Sequence, residues 1–304
     1  MIKGRYAPSP TGELHLGNLR TALVAWLSAR SAGGEMLLRI EDLDSARSKE
    51  EWVEAQQREL EALGIDWDGQ PVRQSARNGL YSEALNRLET EGLLYECFCT
   101  RREVREAASA PHPDGNLPEA AYPGTCRDLS PREREERRRT GRPPALRVRA
   151  GGEQVSFRDE VHGEVGFVVD DFVVRRNDGD FGYNLAVVVD DADQGVTEVV
   201  RGEDLLDSTS RQIWLYARLG LTPPSAWVHL PLMTGPDGER LAKRHGSVTL
   251  EQLVEKGVTA RQVVGRLASS IGLVPEGTEC LAPDLLGSFD RAALLASLAP
   301  REQP

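Results

Sequence analysis

The stretch RYAPSPTGELHLGNLRTAL, residues 5 to 23, begins as a strand and ends as a helix. Pro8 and Pro10 end the strand because proline has no amide donor and fixes φ. From Leu16 to Leu27, apolar residues recur at every third or fourth position, which predicts one buried helical face. A loop that leads from a strand into a helix points unpaired amides and the positive end of the helix dipole outward. Such a turn favours a phosphate ligand.

His15 lies at this turn, and two interpretations of it are open. Gly17 would let a flat ligand approach the backbone, so the two residues fit a nucleotide site. For an isolated His-x-Gly motif, a surface histidine near a helix start is the better explanation, because short motifs often match by accident. The choice depends on motifs elsewhere in the chain.

Strand and helix patterns alternate after this turn. EMLLRIEDLD, residues 35–44, predicts a buried strand, and the capping-box sequence at 48–51 predicts a helix to about Leu63. This order predicts an α/β protein with a parallel sheet and helical crossovers. The valine-rich runs at 183–191 and 195–205 predict two further strands.

Length and charge limit the function classes. A chain of 304 residues exceeds one ordinary core, so we expect two packed units or one α/β domain with an insertion. The net charge of −11 would repel a polyanion unless basic residues gather on one face. No apolar run approaches the roughly 20 residues of a membrane span, and the first residues lack a signal-peptide core. We therefore expect a soluble, cytoplasmic protein with no membrane partner.

Three cysteines cluster in one region of the chain. The four cysteines of the chain, Cys280 included, are too few for a disulfide scaffold at this length, and the clustering of Cys97, Cys99 and Cys126 favours a metal site. A structural Zn²⁺ needs four ligands in a tetrahedron. The fourth is open between His112, the better zinc ligand on chemistry alone, and Tyr122. Buried reduced cysteines without metal are the alternative.

A second basic motif, RLAKRHGS at residues 240–247, follows a Pro-Asp-Gly turn. Lys243 and Arg244 on such a loop can bring positive charge onto a polyphosphate as charge develops in a transition state. With His15 and Gly17, this motif resembles the His-Ile-Gly-His and Lys-Met-Ser-Lys-Ser signatures of class I aminoacyl-tRNA synthetases. The first signature now favours the nucleotide interpretation of His15.

Four blocks resemble the glutamyl branch of that family and cover most of residues 3–250: RYAPSPTGELHLGNLRTAL, RIEDLD, YNLAVVVDDADQGVTEVVRGEDLL and ERLAKRHGS. The resemblance implies ATP with Mg²⁺ and L-glutamate as ligands, and His15 and Lys243 as the catalytic residues that stabilise phosphate charge. It implies an ATP site at Pro8, His15, Gly17, Asn18, Lys243 and Arg244, and a glutamate site at Arg5, Ala7, Ser9, Glu41, Tyr183 and Arg201.

The chemistry of glutamate agrees with these residue types. Two carboxylates and one ammonium require cations, preferably guanidinium groups, and one anion. Without the resemblance, Arg201 and Glu41 would be interpreted as members of ordinary salt bridges.

The chain departs from the family pattern at four positions. Asn18 replaces the second histidine of the first signature, while Arg240 and Ala242 replace a lysine and a serine of the second. Val187 stands where the resemblance expects an asparagine near the amino acid, which implies weaker glutamate binding.

About sixty residues follow the second signature, whereas full-length glutamyl enzymes continue with a large anticodon-binding region. The chain thus resembles shortened members that attach glutamate to the base queuosine in the anticodon loop of tRNA(Asp). In those proteins the tyrosine of a Tyr-x-x-x-Cys segment completes the zinc site, which implies the ligand set Cys97, Cys99, Tyr122 and Cys126. We expect a monomer. Three other functions are possible alternatives to transfer onto queuosine: charging of a tRNA 3′ end, the activity of another nucleotidyltransferase, and the role of a non-catalytic RNA-binding paralogue.

The predicted architecture is a Rossmann-type parallel-sheet catalytic domain with an inserted zinc-bearing subdomain and a short helical C-terminal extension. Residues 1–94 and 151–250 form the catalytic domain, 95–150 the insertion and 251–304 the tail.

Overall fold

The computed structural model describes residues 1–100, 102–104, 122–233 and 248–300. Its strands are β1 (Lys3–Tyr6), β2 (Glu35–Ile40), β3 (Val72–Arg73), β4 (Leu94–Cys97), β5 (Ala145–Val148), β6 (Gln154–Asp159), β7 (Gly163–Val168), β8 (Val173–Arg175), β9 (Glu198–Gly202) and β10 (Ala226–Leu230). Its α-helices are α1 (Leu16–Ser31), α2 (Glu50–Ala62), α3 (Asn78–Thr90), α4 (Pro131–Thr140), α5 (Tyr183–Asp193), α6 (Leu206–Arg218), α7 (Leu250–Glu255), α8 (Ala260–Ser269) and α9 (Arg291–Leu298).

Parallel strands form the centre of the molecule, as the sequence predicts. β2 pairs with β1 and β3, and β9 pairs with β10, all in parallel register. The amide of Thr197 donates to the carbonyl of Lys3 at 2.9 Å, which places the start of β9 beside the start of β1. A cleft opens beyond the carboxyl ends of these two strands. This is where open α/β sheets bind ligands, at the point where the strand order reverses.

Two hydrophobic clusters pack against the sheet. One contains α1, with Leu23 and Trp26 buried, and residues of α8 and α9. The other contains α3, α5 and α6, with Trp214 and Leu215 buried. Their burial fixes the direction of the strands and therefore the geometry of the cleft. In the described ranges, no helix is long and apolar enough to cross a membrane.

The cysteine-bearing unit is built on antiparallel strands. β5 pairs with β4 on one side and with β8 on the other, and β6 and β7 form a hairpin. β8 lies beyond residue 150, so this small sheet extends past the predicted end of the insertion.

Two local predictions are wrong. The run YNLAVVVDD is the first part of helix α5, not a strand, and Leu185 to Val189 are buried at every position. A helix without a polar face has no 3.6-residue period to distinguish it from a buried strand. The predicted capping box also fails, since Lys49 is the N-cap of α2 and makes no side-chain cap bond.

Candidate active site

The cleft has a volume of about 720 Å³ and contains every predicted ligand-binding residue that the structure describes. These residues are Arg5, Ala7, Pro8, Ser9, His15, Gly17, Asn18, Glu41, Tyr183 and Arg201. Lys243, Arg244 and the two departures Arg240 and Ala242 lie outside the described residues, as does His112. Val187, the remaining departure, is buried in the core beside α6.

One end of the cleft is held by buried ion pairs. Arg5, at the carboxyl end of β1, is 4% exposed, and its Nε lies 3.3 Å from Oδ1 of Asp191. Arg39 is fully buried, and its Nη1 donates to the same Asp191 oxygen at 2.6 Å. Burial acts to raise the pKa of Asp191, but the guanidinium groups of Arg39 and Arg5 outweigh it and hold that pKa below its usual range.

Glu41 follows β2 and lines the cleft. Among the predicted residues at this end of the cleft, Glu41 is the one that carries a carboxylate. Its Oε1 accepts from Nη2 of Arg39 at 3.3 Å. Burial raises the pKa of Glu41, and the charges of Arg39 and Arg5 offset this only in part. A buried carboxylate of this kind gains from a cationic ligand.

Arg201, at the end of β9, is 5% exposed and has four protein partners. Its Nε lies 2.9 Å from Nε2 of His229, and its Nη2 donates to Oγ1 of Thr209 at 2.7 Å and to the carbonyl of Leu205 at 3.4 Å. Its Nη1 donates to the hydroxyl of Tyr183 at 3.4 Å. Tyr183 is 37% exposed, and both Tyr183 and Arg201 line the cleft.

The other end of the cleft is formed by the start of α1. His15 is the N-cap, and its Nδ1 accepts from the amide of Asn18 at 3.3 Å. This bond leaves Nε2 as the nitrogen that carries the proton. Burial lowers the pKa of His15, opposed by the charge of Asp204, which favours the neutral ring. A Cβ at Gly17 would lie 3.1 Å from His15 Cε1 and Nδ1, so the glycine leaves room for the imidazole.

Helix α2 holds the loop between β1 and α1 from behind. Nε2 of Gln56 donates to the carbonyls of Ser9 and Gly12 at 3.1 and 2.7 Å. Oε2 of Glu59 accepts from the amide of Leu14 at 3.1 Å. Burial raises the pKa of Glu59 to about 7, against the opposing effect of the Leu14 amide.

Several cleft residues were missed by the sequence analysis. Arg20 lines the cleft one turn into α1, and its Nη2 donates to the carbonyl of Pro231. Asp204 lies opposite His15. A charged residue inside an apolar run can indicate such a position in the sequence, because a buried charge needs a partner. Arg39 and Asp191 show the same pattern.

The three clustered cysteines lie away from this cleft, and their sulfur atoms are all within 4.8 Å of one another. Sγ of Cys99 lies 3.5 Å from Sγ of Cys126, near the ~3.8 Å spacing of thiolates around one Zn²⁺. The hydroxyl oxygen of Tyr122 lies 3.4 Å from Sγ of Cys97 and 3.7 Å from Sγ of Cys99. The donor set therefore fits a four-coordinate metal, with the phenol oxygen beside the three sulfurs.

Comparison with known proteins agrees with this geometry. The family described as tRNA synthetases class I (E and Q), catalytic domain, matches residues 1–284. A glutamyl-Q tRNA(Asp) synthetase of Nocardia farcinica is 53% identical over 302 residues, which are 98% of this chain and 91% of that protein. One of Symbiobacterium thermophilum is 50% identical over 314 residues, covering 99% of this chain and 95% of that protein.

A solved structure shares the fold over nearly the whole chain. The glutamate tRNA ligase of Elizabethkingia meningosepticum, in complex with its amino acid, superposes with a TM-score of 0.78 at 26% identity and covers 98% of this chain. This chain spans 66% of the length of that enzyme. The family match, the relatives and the fold agree, so the chain belongs to the class I glutamyl and glutaminyl tRNA synthetases and is an ATP-dependent ligase of that family.

Proposed function

We propose that the protein activates L-glutamate with ATP and transfers the glutamyl group to the queuosine base of tRNA(Asp). The observation that carries the first half is the shared cleft, with buried guanidinium groups at one end and a helix N-terminus at the other. The second half rests on the names of the relatives, which are glutamyl-Q tRNA(Asp) synthetases.

Glutamate would lie at the end that is held by ion pairs. Arg5 and Arg201, with the hydroxyl of Tyr183, supply the donors for carboxylates. Glu41 supplies the anion for the ammonium group, and the backbone of Ala7 with Ser9 borders the amino acid.

ATP would lie across the start of α1, against Pro8, Gly17 and Asn18. The Gly17 amide, the positive end of the α1 dipole and Nε2 of His15 would bind the phosphates there, since the amides of Leu16 and Asn18 already donate to Val248 and His15. The glutamate carboxylate attacks the α-phosphorus, the bond to pyrophosphate breaks, and His15 stabilises the charge on the phosphate oxygens. Mg²⁺ would accompany the triphosphate and neutralise part of its charge.

Lys243 and Arg244 would add positive charge to the same phosphates. Met233 and Val248, the described residues nearest to them on either side, both line the cleft. Lys243 is five residues from Val248, a separation that the chain can span over roughly 17 Å at most. This reach supports the assignment of Lys243 as the second catalytic residue.

In the second step, a hydroxyl of the queuosine cyclopentenediol attacks the carbonyl of the glutamyl adenylate and AMP leaves. No protein nucleophile is needed, because the adenylate is already activated. We propose that a monomer carries out both steps.

We also infer that Cys97, Cys99, Tyr122 and Cys126 hold one structural Zn²⁺ per chain, remote from the chemistry. Elemental analysis of the purified protein should give one zinc per chain. Cys99→Ser should lose the metal, whereas Cys280→Ser, which changes a buried cysteine outside the cluster, should keep it. Equal zinc in both variants would contradict the assignment.

The transfer step is tested with radiolabelled glutamate, ATP and four forms of tRNA(Asp). The tRNAs carry or lack queuosine, and each is prepared with and without its 3′ adenosine. We expect label on both queuosine-containing forms and on neither of the others. Label that requires the 3′ adenosine would instead show ordinary charging.

The activation step is tested by glutamate-dependent exchange of pyrophosphate into ATP in the absence of tRNA. Exchange with glutamate and not with glutamine or aspartate is expected. Binding of tRNA without any exchange would favour a non-catalytic RNA-binding role.

A further inference from the structure

His229 is fully buried on β10, behind the guanidinium of Arg201, and no proposed step uses it. Its Nδ1 lies 2.6 Å from Oδ2 of Asp159, and its Nε2 lies 2.9 Å from Nε of Arg201. Oγ1 of Thr209 lies 3.2 Å from the same Nε2. The imidazole therefore joins a buried carboxylate to a residue of the proposed glutamate site.

Asp159 and Arg201, the two partners of the His229 ring, determine which ring nitrogen carries the proton. Arg201 Nε always carries a hydrogen, so Nε2 of His229 must accept. Asp159 accepts only, so Nδ1 must donate. The other oxygen of Asp159 accepts from the amides of Val161 and His162, both at 2.9 Å, which fixes the orientation of the carboxylate. Burial lowers the pKa of His229 to about 4, which agrees with a neutral ring at neutral pH.

The same contacts limit how Arg201 can meet a ligand. A guanidinium has five N–H donors, and His229, Thr209, Leu205 and Tyr183 take four of them. The fifth is on Nη1, next to the Tyr183 hydroxyl. That hydroxyl already accepts from Arg201, so its own proton is available to the cleft.

We propose that His229, held by Asp159, is a positioning residue that fixes Arg201 so that Nη1 and the Tyr183 hydroxyl together face the amino acid carboxylate. The inference rests on the proposed function, in which Arg201 binds glutamate. His229 does not touch the substrate. It acts by excluding rotations of the guanidinium that would present Nε to the cleft.

The substitution Asp159→Asn tests this with almost no change in shape. If the new NH₂ group replaces Oδ2, it donates to Nδ1 and moves the ring proton to Nε2, where it opposes the Arg201 Nε–H. If it replaces Oδ1, it meets the amides of Val161 and His162. Each orientation places two donors against each other.

The tautomer of His229 is read directly by ¹⁵N NMR of histidine-labelled protein, with His229→Asn to assign its signals. We expect Nδ1–H in the ligand-free protein. In Asp159→Asn, a shift to Nε2–H identifies the first orientation of the amide, and retention of Nδ1–H identifies the second. Nε2–H in the unsubstituted protein would overturn the proposal, independently of any activity.

Pyrophosphate exchange then measures the consequence for binding. Asp159→Asn should raise the KM for glutamate about tenfold and leave the KM for ATP unchanged. Thr209→Val removes the hydroxyl that accepts from Nη2 of Arg201. It should raise the KM for glutamate without changing the tautomer of His229. This variant keeps the proposal testable if Asp159→Asn does not fold. His162→Gln is the control and should leave both KM values unchanged, because the His162 ring contacts the His229 carbonyl and Glu203 and lies outside the Asp159–His229–Arg201 chain.

An unchanged KM for glutamate in a folded Asp159→Asn with the altered tautomer would overturn the proposal. If the unsubstituted protein shows no exchange with glutamate, the proposed function fails, and the NMR result still decides whether His229 accepts from Arg201.

Discussion

The two ends of the cleft are built differently. At the amino-acid end, Arg5 and Arg201 are nearly fully buried, and side chains from distant parts of the chain hold them. At the phosphate end, His15 is half-buried and caps α1, so the positive end of the helix dipole lies at the cleft. Under the proposed function, the first end would select the amino acid by fixed charges, whereas the second would receive a phosphate, a group that many nucleotide enzymes bind.

The largest effect is expected at the amino-acid end, where Asp191→Asn removes the charge that pairs with both Arg5 and Arg39. Two buried guanidinium groups would lose a counter-ion, so the free energy of unfolding should fall by about 3–5 kcal/mol. Urea unfolding measures this. Asp193→Asn, at the exposed C-terminal end of the same helix, should cost less than about 1 kcal/mol. Similar losses in the two variants would contradict the difference between the ends.

Arg201→Lys keeps the positive charge at the amino-acid end and removes the planar guanidinium group with its several donors. A lysine cannot contact His229, Thr209 and Tyr183 together, so kcat/KM for glutamate in pyrophosphate exchange should fall about 100-fold. The KM for ATP should stay the same. Arg218→Lys, in an exposed pair with Glu153, is the matched control. A lysine variant with near-normal glutamate affinity would show that charge alone suffices.

His15→Asn makes the complementary change at the phosphate end. Asparagine is a good N-cap, so α1 should remain intact while the imidazole Nε2–H is lost. We expect kcat for exchange to fall about thirtyfold, by roughly 2 kcal/mol of transition-state stabilisation, with the KM for glutamate unchanged. If the KM for glutamate rises instead, the two ends do not act separately.

The resemblance to the glutamyl branch predicted the lining of the cleft, and local pattern agrees with it where these residues lie near strand ends or helix starts. Arg5 lies one residue before the end of β1, Glu41 follows β2, and His15 precedes α1. All the predicted ATP- and glutamate-binding residues in the described ranges line one cavity. Their roles in binding and catalysis stay predictions.

The supporting contacts could not be predicted in the same way. Arg39 pairs with Asp191 across 152 positions, and His229 pairs with Asp159 across 70. Nothing local in the sequence specifies such partners, because they meet only after the sheet and its helices have packed. The helix α5 was missed for a related reason, since burial on all sides removes the polar face that would identify it.

The smallest expected effect concerns pH and again separates the two ends. Glu59, behind the phosphate-end loop, has a pKa raised by burial to about 7, whereas the pKa of Asp191 at the amino-acid end is lowered. A raised pKa means that the folded protein binds a proton that the unfolded chain releases, so stability is lost as pH rises from about 4.5 to 7.

Glu59→Gln keeps an oxygen for the Leu14 amide and removes this titration. Relative to the unsubstituted protein, the variant should gain about 1–2 kcal/mol in unfolding free energy between pH 5 and pH 8, allowing for solvent near the carboxyl group. Urea unfolding across this range measures the difference, and Glu61→Gln, exposed on the same helix, should follow the unsubstituted protein. If the unfolding free energies of all three proteins change with pH in parallel, Glu59 accepts from the Leu14 amide as a carboxylate with an ordinary pKa. The phosphate-end loop would then be as insensitive to pH as the ion-paired end.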